Sequence, residues 1–204
     1  MPVAMIHLSV AKKVNPDASI DFYVGTLAPD AIQNPYEIKN KVHLYDAPDW
    51  EDALRKFALK ANNDYLKGFL LHLFADKKFH AFWNENTDMP YQEGNEFCWA
   101  KYMEHNRKID SYAYHNTEWA YNLFKQMENW NYNNFIETEY IKQEVVRWFI
   151  PWKHKWCMEN KLSSSSVFPP VLIEKFVDDT VKDFNKWWRD LNFLHIHDIA
   201  FILD

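Results

Sequence analysis

Apolar residues recur along most of this chain at the three-to-four spacing of an α-helix, with polar residues between them. In the first segment Val3, Ile6, His7, Val10 and Val14 share one face, and Pro2 suits the first turn of a helix. "DASIDFYVGTLAPDAI" (17–32) predicts a short helix, a break near Gly25 and a new helical start around Pro29. Residues 33–49 hold Pro35, Pro48 and few apolar positions, so they read as a loop. "DWEDALRKFALKANN" predicts a helix capped by Asp49, and "NDYLKGFLLHLFADKKFHAFW" a long, largely buried one. "TDMPYQEGN" is a break. The stretch 96–130 predicts one or two helices, and "NFIETEYIKQEVVRWFI" another, stopped by Pro151. "SSSSVFPP" (163–170) is a loop before "VLIEKFVDDTVKDFNKWWRDL" and a last short helix to residue 204. No internal repeat is visible. The pattern predicts one all-α domain over 1–204, built from about seven to nine helices.

Composition narrows the class. Hydrophobic residues make up 48% and aromatics 18%, which suits a packed core and excludes a disordered chain. Only three glycines occur, too few for the turns of an all-β protein or for a phosphate-cradling loop, and no GxGxxG or Walker-type motif is present. The aromatics read as filling a helical core rather than as a cage for a quaternary amine. A formal net charge of −6, with both signs interspersed, argues against strong binding to nucleic acid or to an anionic membrane surface. Cys98 and Cys157 form neither a CxxC pair nor a disulfide framework, which suits free thiols in a reducing compartment. The first residues lack the order of a signal peptide, and no run reaches the length of a transmembrane segment. The expectation is a cytoplasmic protein; nothing in the pattern selects an oligomeric state.

The candidate chemistry lies where polar residues interrupt apolar faces. Gly68, His72, Asp76 and His80 fall on one helical stripe, with His72 and Asp76 one turn apart. Two such side chains suit a metal ion, although a buried His–Asp pair also occurs for structural reasons. Gly68, one turn earlier, leaves room for an ion or a neighbouring helix. His7 lies on the apolar face of the first helix. Asp30 follows Pro29 at a helix start, where an acid also complements the helix dipole. His43 stands in a polar stretch, where a solvated histidine is the plain alternative. Together these residues offer nitrogen and oxygen donors without a thiolate, a set that suits zinc, with manganese or iron as alternatives. His154, between two lysines, reads as a surface residue, as do His195 and His197.

Four blocks, "MIHLSVAKK", "VGTLAPDAI", "KNKVHL" and "GFLLHLFAD", occur here in the order found in the zinc-dependent phospholipase C family. The chain resembles that family over roughly residues 1–83, and especially its small bacterial intracellular members. The family is related in fold to the fungal zinc-dependent single-strand nucleases. The resemblance implies an all-α fold with a metal cluster in a cleft. It makes His7, Asp30, His43, His72 and Asp76 the metal ligands, Asp76 the bridge between ions, and Asp30 the carboxylate that helps to activate water. The chain also departs from the pattern. Met1-Pro2 stands where secreted relatives use an N-terminal tryptophan as a ligand. The relatives also draw ligands from a histidine soon after the His-xxx-Asp pair and from a later His-xxx-Glu pair. His80 is the stand-in for the first. Glu104 and Asp110 are the acids nearest to the second role, at the wrong spacing, and Glu104 also suits an ion pair with Lys108. One or two zinc ions are therefore expected rather than three. The functional expectation is a metal-dependent phosphoester hydrolase acting on a small soluble substrate. The alternative is a helical metal-binding protein, sensor or scaffold, without turnover.

Overall fold

The computed structural model describes residues 3–32, 35–87, 96–135, 137 and 141–200, without the side chains at 36, 96–98, 134 and 192–200. Among these residues the chain is all-helical and has no strand. The helices are α1 (Ala4–Val14), α2 (Ile20–Leu27), α3 (Tyr36–Val42), α4 (Trp50–Ala58), α5 (Asp64–Asn86), α6 (Glu96–His115), α7 (Ala120–Glu128), α8 (Gln143–Glu159) and α9 (Pro170–Ala200). Short 3-10 helices cover Ala28–Ala31 and Tyr132–Asn134. No helix among the described residues is long and apolar enough to cross a membrane. The expectations placed on Pro2, on the break at 88–95 and on the side chains of Cys98, His195 and His197 lie outside the described residues.

The core forms around α5. Tyr65, the run from Gly68 to Asp76, Phe79 and Trp83 are all buried, so this helix is covered on nearly every side. Its start is defined by Asn63, whose side chain accepts the Leu66 N–H at 2.9 Å. Asp49 caps α4 in the same way, accepting from the Asp52 N–H at 3.0 Å, as the sequence predicts. Near its far end α5 joins an aromatic cluster in which Trp83 meets Phe168 at 4.7 Å and Phe82 meets Phe176 at 4.8 Å between ring centroids.

The closest packing is between α2 and α5. A Cβ on Gly25 would lie 2.0 Å from the Tyr65 carbonyl oxygen, and one on Gly68 would lie 2.0 Å from that of Phe22. The two backbones touch where both side chains are missing. That contact corrects the expected break at Gly25: α2 runs straight through it, because the glycine serves helix packing and not a turn.

Three further boundaries differ from expectation. The stretch 33–49 contains α3, a short helix with too few apolar positions to show a period. Pro151 does not stop α8, which continues to Glu159. Proline removes the hydrogen bond to the Arg147 carbonyl, but Arg147 is on the solvent side, while Val146, Phe149, Ile150, His154 and Cys157 bury the opposite face. Finally, α9 is one helix of 31 residues instead of two, with neither glycine nor proline after its first residue to interrupt it.

Candidate metal centre

Four separate segments bring His7, Asp30, His43, His72 and Asp76 to one place. His7 comes from α1, Asp30 from the 3-10 helix after α2, His43 from the C-cap of α3, and His72 and Asp76 from α5. The three histidines are 0% exposed, Asp76 2% and Asp30 7%. Asp76 is central. Its Oδ1 lies 3.4 Å from His7 Nε2, and its Oδ2 lies 3.6 Å from His72 Nε2 and 3.7 Å from His43 Nε2. Asp30 Oδ1 faces His43 Nε2 at 3.7 Å and His72 Nε2 at 4.0 Å. Gly68 makes this geometry possible. It admits the α2 backbone one turn before His72, so that the Thr26 carbonyl reaches His72 Nδ1 at 2.8 Å.

The hydrogen bonds define what the imidazoles offer. A carbonyl only accepts, so His72 Nδ1–H donates to Thr26 and His43 Nδ1–H donates to the Lys39 carbonyl at 2.8 Å. In its neutral form each ring then carries its lone pair on Nε2. Both Nε2 atoms are buried and have no hydrogen-bond partner. They point at carboxylate oxygens, which are acceptors too, across distances too long for a hydrogen bond. In their neutral form these rings set lone pairs against carboxylate lone pairs, a conflict that a cation, either a proton or a metal ion, removes. Two sets of donors, His7–Asp30–His72 and His43–His72–Asp76, each place their ligand atoms within 4.8 Å of one another. They share His72. A backbone carbonyl on the far nitrogen is the usual way of orienting a metal-binding histidine, and an all-N/O set suits zinc, manganese or iron.

The electrostatics separate the two stacked rings, keeping His7 neutral and favouring a proton on His72 where no metal takes its place. His7 stacks on His72, with ring centroids 3.8 Å apart and an angle of 14°. Burial and the neighbouring His72 lower the His7 pKa to about 4, which keeps that ring neutral. Burial alone would push His72 down, but Asp76 and Asp30 outweigh it and raise its pKa. Burial likewise disfavours the two carboxylates. The histidines reverse this, holding Asp30 at about 2 and Asp76 well below the ordinary range.

Tyr45 is a member of the site that the sequence pattern did not single out. Its O–H donates to Asp76 Oδ2 at 3.1 Å, and its ring stacks beside His43 at 5.3 Å. Burial, and after it Asp76, push the phenol well above its ordinary pKa, so it remains a donor. The available signal was its position two residues after His43, hidden because the stretch reads as a loop. His80 does extend the stripe, and it meets the Tyr45 ring at 5.7 Å, yet it belongs to neither donor set. Burial lowers its pKa to about 4.

The remaining acids are corrections. Glu104 points outward and pairs with Lys108 at 2.7 Å, one helical turn on. Asp110 is fully buried but engaged elsewhere: it accepts the Met5 N–H at 2.8 Å and pairs with Lys153. His154, expected at the surface, is buried between Glu128, 2.6 Å away, and the Tyr114 hydroxyl, 2.9 Å away. It went inside because α8 continues past Pro151 and turns residue 154 onto the face of Ile150 and Cys157. A cavity of about 370 Å³ bounded by Ser9, Ile109, Trp119 and Phe168 opens on the other face of α1 and shares no residue with the candidate donors.

No protein-family model matches the chain, and neither a curated protein nor a solved structure matches it, so its chemistry is argued from these side chains.

Proposed function

We propose that the chain is a metal-dependent phosphoester hydrolase of the phospholipase C type, acting on a small soluble phosphoester. The observation that carries the reading is the buried meeting of His7, Asp30, His43, His72 and Asp76, with the Nε2 lone pairs of His43 and His72 turned toward carboxylates. The four sequence blocks that resemble the zinc-dependent phospholipases hold all five residues and support the same reading.

A zinc, manganese or iron ion supplies Lewis acidity toward water and toward a phosphoryl oxygen. His7, Asp30, His43, His72 and Asp76 would hold it. Asp76 presents one oxygen to His7 and the other to His43 and His72, so a single carboxylate would serve the side of the centre formed by all three histidines. Asp30 retains 7% exposure, the most of the five, so it is the donor nearest to solvent. Its carboxylate, ionised at neutral pH, would orient an attacking water or take its proton. The leaving oxygen takes a proton from solvent. A net charge of −6 disfavours long polyanions and anionic surfaces, which is why a small substrate is preferred.

A second reading, a metal-binding protein without turnover, is favoured by the depth of the donors, since a closed coordination shell leaves no position for substrate. The experiment is elemental analysis of the purified chain, reconstitution with zinc, manganese or iron, and hydrolysis of a chromogenic phosphomonoester and phosphodiester panel. Stoichiometric metal with metal-dependent hydrolysis is the expected result. Metal without hydrolysis favours the second reading, and a chain that binds none of the three ions overturns both.

A further inference from the structure

Helix α3 ends in a motif with an unusual residue at its key position. Tyr45 N–H donates to the Asn40 carbonyl at 2.9 Å and Leu44 N–H to that of Lys41 at 3.1 Å, the paired bonds of a Schellman C-cap. The residue between cap and return is Leu44, with φ 58°, in the left-handed region where glycine is the usual choice. Its side chain packs against the core, so the turn is anchored by the residue that is strained in it. The motif presents two groups to the candidate metal centre at once: His43 from the cap, and Tyr45 from the position after the turn.

Tyr45 spans the boundary of the site. Its hydroxyl reaches the buried Asp76, while the residue as a whole is 40% exposed. A carboxylate that serves three histidines must hold one rotation: Oδ1 toward His7, Oδ2 toward His43 and His72. Rotation by a quarter turn would move both oxygens off those lines. The histidines attract both oxygens, but at 3.4–3.7 Å they fix the rotation less sharply than a short directional hydrogen bond does. The phenol adds that directional restraint, its O–H donating to the ionised carboxylate at Oδ2.

We propose that Tyr45 is a positioning residue for Asp76, and that its hydroxyl sets the carboxylate in the orientation required for metal binding. The proposal rests on the metal reading above. The hydroxyl acts on the ion only through Asp76, so removing it weakens binding without removing a ligand. Losing such a supporting hydrogen bond typically costs about 10–100-fold in metal affinity.

The test compares the parent chain with Tyr45→Phe, which keeps the ring stack on His43 and deletes only the hydroxyl. Zinc affinity is measured by competition with a chromogenic chelator, the cobalt(II) absorption band is recorded as a signature of the coordination geometry, and helicity and the melting temperature of the metal-free protein are followed in parallel. The expected result is a zinc affinity about 10–100-fold weaker and an altered cobalt band, with helicity and metal-free melting close to the parent. A Tyr45→Phe chain with parental affinity and band overturns the proposal and leaves the metal reading intact. So does one that loses metal-free stability while keeping affinity, because the hydroxyl is then only structural. A parent chain that binds neither zinc nor cobalt overturns both.

Discussion

His72 is common to both donor sets, so its substitution touches both at once. His72→Ala is expected to remove any bound metal together with any phosphoesterase activity, while circular dichroism stays close to the parent, because the core rests on apolar burial spread over many helices. Asp30→Asn is expected to behave differently. It keeps the shape, so metal is retained at reduced affinity, while turnover falls by roughly the 10²–10⁴ typical of a lost general base. Metal content and hydrolysis rate on both variants check this. Full metal and full activity in His72→Ala would refute the site. At this scale the sequence was legible where chemistry and spacing coincide. His72 and Asp76 sit one turn apart on a buried helix, and Glu104 has Lys108 one turn on. Asp110 was not legible, because its partners are Met5 and Lys153, far away in the chain. Tyr45 was not either, since its role depends on a helix end that leaves no apolar period.

Between the elements, the meeting of α2 and α5 is where a single methyl group does most harm. Gly68→Ala would put a Cβ 2.0 Å from the Phe22 carbonyl oxygen, with backbone on both sides and no flexible side chain to yield. Separating the helices is expected to cost about 2–3 kcal/mol, and to lower the melting temperature by roughly 4–12 °C for a chain of this length. Thermal melts with a chelator present isolate this packing effect. Zinc affinity should also fall, because α2 carries the Thr26 carbonyl that orients His72, and Asp30 follows directly after it. The helices themselves were readable from their periodicity, and most boundaries with them. The failures share one cause. Gly25 and Pro151 are local breakers that tertiary packing overrode, and α9 lacks any local stop where a turn was expected. Local signals report what a residue tolerates, whereas the neighbouring helix determines which tolerance is used.

Across the molecule, a second polar chain ties the helices together away from the candidate centre. Glu128 on α7 pairs with His154 on α8, which meets Tyr114 on α6. Burial pushes the Glu128 carboxyl up, but Lys125 and His154 outweigh it and hold it below its ordinary value of 4.5. A depressed carboxylate contributes stability that is present above about pH 4.5 and lost as the pH falls through its folded value. Denaturant midpoints measured between roughly pH 3 and 6 should therefore fall more steeply on the acid side in the parent than in Glu128→Gln. An identical slope in both would remove this link from the account of acid stability.

The contact of Asp110 with Met5 and Lys153 has a consequence in time. The first turn of α1, which carries His7, is held by residues from the second half of the chain. Synthesis runs from the N-terminus, so all five candidate donors leave the ribosome before either of the residues that anchor that turn. At about 5–20 residues per second, Lys153 follows Asp76 by roughly 4–15 s. During that interval the nascent chain displays three histidines and two aspartates with no frame to space them, and it has no basis for choosing one ion over another. Any metal selectivity of the candidate centre would thus be a property of the finished chain, acquired when α6 and α8 close on a helix made long before them.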